Sequence, residues 1–257
     1  MKFIFLTGLA LTASLIAQTK IACVGDSITF GAGVAARETL NYPAQLGYLL
    51  GDDYEVRNFG VSGRTMLNNG DHPYTKTAAY KKSLSYQPDI VIIKLGTNDS
   101  KPQNWKFKAE FANDTKALIQ SYTSLPNQPR VILCQPVPVA QDKWGITEKV
   151  TRGEIAPLVR DVALELNTEL VDLHTPLVNH KDWIPDGVHP NAFGAEVMAR
   201  HLHRYLTTQR DNEWTTETME AATFGNFHGY AMQSFKFQGI SCKVVSPKVA
   251  AIGRPWV

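Results

Sequence analysis

The sequence is poor in cysteine, and its three cysteines, Cys23, Cys134 and Cys242, lie far apart. They form no CxxC pair and have no histidine at metal-ligand spacing, so we expect neither a disulfide framework nor a zinc site. Two of them lie inside apolar, strand-like runs, where a thiol packs as a small hydrophobic group. The sequence therefore indicates no bound metal, and no motif in it indicates another cofactor.

Long blocks of like charge are also lacking. The 26 Lys and Arg residues nearly balance the 24 Asp and Glu residues, which leaves a formal net charge of +2. We expect no nucleic-acid partner, because no basic stretch would draw the chain to nucleic acid or to anionic lipid. With 44% hydrophobic residues among 257 and no internal repeat, the chain suits one sizeable domain with a well-formed core.

The N-terminus carries an uncharged run, from Phe3 to Ala17, that is short for a membrane span. A lysine precedes it, which is typical of a secretory signal peptide over residues 1–19, although Leu15 does not fit the small-residue rule at the cleavage site. An N-terminal strand or a lipid-facing anchor is the alternative. We expect a secreted or periplasmic protein with no stable membrane span in its mature form.

Short β-rich runs alternate with longer segments of helical periodicity along most of the chain. The β-rich runs are KIACV (20–24), YEVRNF (54–59), DIVIIKL (89–95), RVILCQ (130–135) and ELVDL (169–173). This alternation predicts a three-layer α/β/α sandwich around a central parallel sheet of about five strands. Ligands of such sheets bind beyond the carboxyl ends of the strands, which makes the loops after these five runs the candidate site.

The first of these loops, GDSITFGAG, places Ser27 directly after a buried strand, and the last contains Asp186 and His189 in DGVHP. A serine hydroxyl becomes nucleophilic when a base removes its proton and a third group holds that base in the right tautomer. Gly60 and Asn98, each just past a strand end, are candidate donors to the oxyanion of a tetrahedral intermediate. Taken singly, each residue has a structural alternative, such as a helix cap, a tight turn or a loop anchor.

Together these pieces resemble the sequence blocks of the SGNH hydrolases, also called the GDSL esterases and lipases. GDSIT is similar to the first block, NFGVSG to the second, GTND to the third and DGVHP to the fifth. The resemblance covers residues from about 20 to 207 and implies a flavodoxin-like sheet and a serine esterase. The first block reads GDSIT rather than GDSLS, but isoleucine for leucine conserves volume and threonine for serine keeps a hydroxyl.

The resemblance also implies the roles of the site residues. Ser27 would be the nucleophile, His189 the base and Asp186 its orienting carboxylate. The oxyanion hole would combine the amides of Ser27 and Gly60 with the side chain of Asn98.

A phosphate-binding module is the main alternative from another class of function, since a glycine-rich loop after the first strand can cradle phosphate. Asp26 disfavours it, because a carboxylate there would repel phosphate, and the loop lacks the GK[ST] ending of phosphate-binding loops. A catalytically inactive carbohydrate-binding relative is disfavoured too, because no catalytic residue is missing.

Flat aromatic side chains in these loops point to a carbohydrate substrate. They are Trp105, Trp144 and Trp183, with His72 and Tyr74. Trp105, Trp183 and Asp26 are the candidate substrate contacts, and packing of loops onto helices is the alternative for the aromatic residues. We expect an exported esterase that removes short acyl groups, above all acetyl, from a small-molecule or glycan ester; a lysophospholipase or a thioesterase is the alternative.

The sequence changes character beyond residue 208. QRDNEWTTETMEAA is polar, and FKFQGISCKVVSPKVAAIGRPWV alternates like short strands. We expect a hydrolase domain at residues 20–208 and an appendage, a linker plus short strands, at residues 209–257. The ending resembles the opening strands of a second hydrolase domain that some bacterial esterases carry, and a hairpin docked onto the first domain is the alternative.

Overall fold

The computed structural model describes residues 17–208 and three further strands at 223–227, 230–237 and 240–246. The chain divides into two compact units, Met1–Tyr205 and Leu206–Val257. The signal peptide expected at residues 1–19 lies almost entirely outside the described residues. None of the helices in the described part of the chain is long and apolar enough to cross a membrane.

The first unit is built on a five-stranded parallel sheet. Its strands are β1 (Thr19–Gly25), β2 (Tyr54–Gly60), β3 (Ile90–Lys94), β4 (Arg130–Gln135) and β5 (Glu169–Asp172). They lie in the order β2-β1-β3-β4-β5, and every neighbouring pair is parallel. The predicted α/β sandwich is confirmed, because each strand falls on a predicted run and the order is that of a flavodoxin-like sheet.

Helices connect and flank these strands. They are α1 (Ser27–Phe30), α2 (Arg37–Leu40), α3 (Tyr42–Leu50), α4 (Ala78–Ser85), α5 (Pro102–Trp105), α6 (Phe111–Thr123), α7 (Glu148–Val150), α8 (Ala156–Glu165) and α9 (Ala192–Thr208). Short 3-10 turns lie at Tyr74–Lys76, Asn98–Ser100, Lys108–Glu110 and Lys181–Trp183, and a π-helical segment at Thr151–Ile155 joins α7 to α8. Local side chains cap several helices: Asn41 accepts from the Ala44 amide before α3, and Thr77 accepts from the Tyr80 amide before α4.

The core lies between the sheet and these helices. All five residues of β3 are buried, as a central strand covered on both faces requires. Val91 and Ile93 of this strand share one hydrophobic cluster with Phe111 of α6 and Val159 of α8. A rigid packed sheet of this kind holds the loops at its carboxyl edge in fixed positions.

The second unit contains a three-stranded antiparallel sheet. Its strands are β6 (Thr223–Phe227), β7 (Tyr230–Phe237) and β8 (Ile240–Ser246), in that order. β8 and the end of β7 lie within the alternating stretch that begins at residue 235, whereas β6 precedes it. The domain division near residue 208 and the relation to a second hydrolase domain stay predictions.

Candidate active site

Ser27 opens the one-turn helix α1 at the carboxyl end of β1. The Asp26 carboxylate caps this helix by accepting a hydrogen bond from the Ile28 amide at 2.9 Å. Gly31 ends the helix in the left-handed region, with φ of 93°. As the first residue of a helical turn, Ser27 has an amide that no carbonyl within the helix can accept from, so this amide is available to a substrate.

Ser27, His189 and Asp186 lie in hydrogen-bonded series. The Oγ of Ser27 is 2.8 Å from the Nε2 of His189, and the Nδ1 of His189 is 2.7 Å from the Oδ2 of Asp186. The other carboxylate oxygen of Asp186 accepts from the amides of Val188 at 2.9 Å and His189 at 2.7 Å. The DGVHP turn thus fixes its own carboxylate against the imidazole, and the fold brings that turn to a serine 162 residues away.

The environment of Asp186 keeps its carboxyl group ionised. Burial raises the pKa of Asp186, but hydrogen bonds from the His189 amide, the His189 ring and the Val188 amide outweigh it and leave the pKa below its ordinary value. An ionised carboxylate at this distance favours a proton on Nδ1 of His189. Nε2 is then free to accept the proton of Ser27, which is the arrangement a general base requires.

Asn98 follows β3, and its side chain is buried beside a neighbouring loop. Its Nδ2 donates to the carbonyl of Arg64 at 3.2 Å. A primary amide has two N–H donors, so a second one remains for another acceptor. This free N–H keeps the predicted contribution of Asn98 to an oxyanion hole open.

Gly60 does not fit the role that the sequence suggested. Its amide donates to the Oδ1 of Asn58 at 2.8 Å, and this bond occupies the donor expected to face the oxyanion. The glycine is required for another reason, because a Cβ there would lie 2.2 Å from the amide nitrogen of Phe30. Gly60 therefore allows the end of β2 to approach α1 closely.

A buried ion pair that the sequence analysis missed joins two loops of the site. Lys94, the last residue of β3, and Asp26 are fully buried, and the Nζ of Lys94 donates to the two Asp26 oxygens at 3.2 and 3.1 Å. The same Nζ donates to the Oγ1 of Thr97 at 2.7 Å. Burial lowers the pKa of Lys94, and the Asp26 charge opposes this. Lys94 thus links the turn that carries Ser27 to the loop that carries Asn98, and its sequence signal is a lysine in the apolar strand IVIIK.

Two of the expected substrate contacts are interior residues. Asp26 is fully buried by the interactions just described, so it holds the turn that carries Ser27 and is not open to a substrate. Trp105 is only 8% exposed, and its Nε1 donates to the Oε2 of Glu154 at 2.8 Å. Its ring packs edge-on against Phe111. The sequence could not reveal this, because burial is decided by packing between distant segments.

The other loop aromatics differ in their surroundings. Tyr74 is buried in the core, and the half-buried ring of Trp183 stacks on His180 with centroids 3.6 Å apart. His72 is exposed and lines a pocket. Trp144 is exposed and lies beside the ring of His189. Among Trp105, Trp144 and Trp183, the structure places Trp144 beside the ring of His189.

Among the described residues, no group of three or more His, Cys, Asp or Glu side chains could hold a metal ion. Cys23 and Cys134 are buried free thiols inside β1 and β4, and burial raises the pKa of Cys134 to about 12.

Two curated esterases are similar to most of this chain. An acetylxylan esterase of Xylanibacter ruminicola is 42% identical over an alignment of 198 residues, and the match covers 70% of this chain and 41% of that protein. A multidomain esterase of Ruminococcus flavefaciens is 28% identical over an alignment of 216 residues, and the match covers 71% of this chain and 28% of that protein. The chain thus spans less than half the length of either relative.

Solved structures share the fold. Est24, a carbohydrate acetylesterase from Sinorhizobium meliloti, superposes with a TM-score of 0.59 at 21% identity and covers 75% of this chain and 100% of its own. Axe2, an acetylxylan esterase from Geobacillus stearothermophilus, superposes with a TM-score of 0.57 at 22% identity and covers 78% and 98%. A family model matches residues 23–197, from the first strand into the last helix of the sandwich. The chain therefore belongs to the GDSL-like lipase/acylhydrolase family of carboxylic ester hydrolases.

Proposed function

We propose that this chain is a serine acetylesterase that acts on carbohydrate. The observation that carries the proposal is the pair of short hydrogen bonds from Ser27 Oγ to His189 and from His189 to Asp186. Nucleophile, base and orienting group stand within hydrogen-bond reach in the order that acyl transfer needs. The names of an acetylxylan esterase and a carbohydrate acetylesterase among the similar proteins support acetyl as the acyl group and sugar as the alcohol.

In the proposed reaction, the Nε2 of His189 removes the Ser27 proton while Oγ attacks the acetyl carbonyl carbon. The carbonyl oxygen becomes an oxyanion, and the ionised Asp186 stabilises the imidazolium that forms. His189 then gives the proton to the sugar oxygen as the ester C–O bond breaks, which leaves an acetyl group on Ser27. Water, deprotonated by His189, attacks the carbonyl carbon of this acyl-enzyme. His189 then returns the proton to the Oγ of Ser27 as the bond between Oγ and the acyl carbon breaks, and acetate leaves.

For the oxyanion hole we propose the Ser27 amide, the Asn98 side chain and the amide of Gly63. Gly63 replaces Gly60 in this assignment, because the Gly60 amide already donates to Asn58. The residue after Gly63 is Arg64, whose carbonyl accepts from Asn98 Nδ2, so the Gly63 turn lies beside Asn98. Its φ of 78° suits a glycine in a turn that presents backbone N–H groups.

We also propose that the protein is exported. The uncharged run from Phe3 to Ala17 after Lys2 supports a cleaved leader. N-terminal sequencing of the protein recovered from the culture medium or the periplasm tests this. A mature chain that begins near residue 20 is expected, and an intact residue 1 would contradict export through a cleaved leader.

Ser27→Ala tests the proposed function. We expect hydrolysis of an aryl acetate and of acetylated xylo-oligosaccharides to fall by about 10⁴-fold or more, with an unchanged circular dichroism spectrum. Ser85→Ala, on the exposed face of α4, serves as the matched control and keeps its activity. A fluorophosphonate should label Ser27 in the wild type. Activity of Ser27→Ala within about tenfold of wild type, or labelling of that variant, would remove Ser27 from the mechanism.

A further inference from the structure

A tight turn places an exposed tryptophan beside the proposed base. Trp144 is 55% exposed, and its ring centroid lies 5.6 Å from that of His189, with the ring planes inclined by 50°. A large flat apolar side chain that is open to solvent next to reacting groups is available to contact a bound substrate. The triad itself does not use this ring.

The backbone of this turn has a conformation that is unfavourable for Trp144. Lys143 and Ile146 close the turn with two backbone hydrogen bonds of 3.0 and 2.8 Å. The two central residues, Trp144 and Gly145, have φ of 54° and 79°. Positive φ at both central positions is typical of a type I′ turn, for which Asn-Gly is the favoured pair. Tryptophan is unfavourable in the left-handed region, so the local backbone does not explain its presence.

The turn is also anchored to the loop that carries the base. Ile146 packs with Val139 and Val188 in a small buried cluster. The amide of Gln141 donates to the carbonyl of Gly187 at 3.3 Å and forms a second link between the same two loops. The indole ring and the imidazole are therefore held relative to each other before any substrate binds, which lowers the entropic cost of binding.

We propose that Trp144 forms a sugar subsite, on which the apolar face of the acetyl-bearing pyranose ring packs. This inference rests on the proposed function. His189 must give its proton to the leaving oxygen, so the alcohol part of the ester lies against His189. Trp144, as the neighbour of His189, lies on that leaving-group side and selects the sugar instead of the acyl group. The flat indole offers a large apolar area with few rotatable bonds, which suits the C–H face of a pyranose.

Lys143 limits which face of the indole is open. Its Nζ lies over the Trp144 ring, 4.5 Å from the centroid. An ammonium group there makes a cation–π contact with that face, so the sugar ring would pack on the face that Lys143 leaves open.

Trp144→Asn separates sugar recognition from stability. Asparagine suits the first central position of a type I′ turn, so we expect the Tm to rise. We expect the ratio of kcat/KM for an acetylated xylo-oligosaccharide to that for ethyl acetate to fall by about tenfold, because the aromatic stack is lost. Trp144→Phe keeps a flat ring and should retain most of the ratio. Tyr48→Asn, which removes an aromatic ring that is 88% exposed on α3, is the matched control and leaves the ratio unchanged.

An unchanged ratio in Trp144→Asn would overturn the subsite, and a lower Tm with that unchanged ratio would make Trp144 a packing residue. If the wild type hydrolyses ethyl acetate but no acetylated sugar, the subsite fails while the ester hydrolase activity stands. If the wild type hydrolyses neither ester, the proposed function fails. Calorimetry with the acetyl-free oligosaccharide then tests the subsite alone: weaker binding to Trp144→Asn supports it, and equal binding overturns it.

Discussion

At the scale of single residues, the structure adds Lys94 to the site, because its buried charged group contacts two of the site's loops. Its ammonium group holds Asp26 and Thr97, which come just before Ser27 and Asn98. Lys94→Met leaves the Asp26 carboxylate buried without its counter-charge, and removal of one partner of a buried ion pair costs about 3–5 kcal/mol. We expect a loss of this size in the free energy of unfolding measured with urea.

Two variants control that experiment. Lys108→Met breaks an exposed ion pair with Glu154, and we expect a change below about 1 kcal/mol. Lys94→Met combined with Asp26→Asn should recover part of the loss, because the asparagine oxygen still accepts from the Ile28 amide. Equal losses of unfolding free energy in Lys94→Met and Lys108→Met would show that the buried ion pair stabilises the protein no more than the exposed one.

Asp99 makes stability depend on pH. Burial raises the pKa of Asp99 to about 7, although hydrogen bonds from the Leu67 and Met66 amides act in the opposite direction. The folded-state pKa exceeds that of an unfolded chain, about 3.9. The contribution of Asp99 to stability is therefore fully present below about pH 4 and is lost as the pH rises to about 7.

Asp99→Asn removes this titration while conserving shape. We expect the free energy of unfolding of the variant to increase relative to that of the wild type as the pH rises from about 4 to 7. The increase is up to about 1.4 kcal/mol per pH unit. Urea unfolding of both proteins across this range measures the effect. A difference between the two that does not vary with pH would contradict the raised pKa.

At the scale of elements, the end of β2 lies so close to the helix α1 that no side chain fits at Gly60. A Cβ at Gly60 would lie 2.2 Å from the Phe30 nitrogen and 2.6 Å from the Thr29 carbonyl carbon. Gly60→Ala must therefore displace α1 and Ser27 with it. We expect a loss of about 1–3 kcal/mol in stability and a fall in kcat of about tenfold or more.

Gly153→Ala is the control for this substitution. Nothing lies within 4 Å of a Cβ at Gly153, which is in the helical segment before α8. We expect it to be neutral or to stabilise the protein by about 0.5–1 kcal/mol. Thermal unfolding and steady-state kinetics of the two variants test this. Similar stability and kcat in both would show that the close approach of β2 to α1 is unimportant.

The longer elements were predictable because their signal is local. β3 was expected at residues 89–95 and is Ile90–Lys94, since a continuous apolar run between turn residues suits a buried strand. The one-turn helices α1 and α2 were not predicted, because four residues are too few to show a helical period. The left-handed residue Trp144 was also missed, since turn chemistry favours asparagine or glycine at such a position.

At the scale of the whole molecule, every residue proposed for catalysis lies in the first unit, before residue 190. A chain that ends at Thr208, the last residue of α9, should fold and retain its kcat/KM on an aryl acetate. Thermal unfolding and esterase assays of the two chain lengths measure this. A loss of several kcal/mol in the shorter chain would mean that residues 209–257 pack onto the hydrolase domain, as a docked hairpin does.

The sequence by itself determined the sandwich and the family, and it supplied the residues that we propose as the triad. Alternating periodicity is a local property, and Ser27, Asp186, His189 and Asn98 follow strands in motifs that can be read without coordinates. Only the tertiary structure decided that Lys94 pairs with Asp26, 68 residues away, that the Gly60 amide is already engaged, and that Trp144 instead of Trp105 lies beside the ring of His189. Burial and hydrogen-bond partners depend on packing between segments that are distant in the chain. A local sequence pattern therefore does not show which of several similar residues stays exposed.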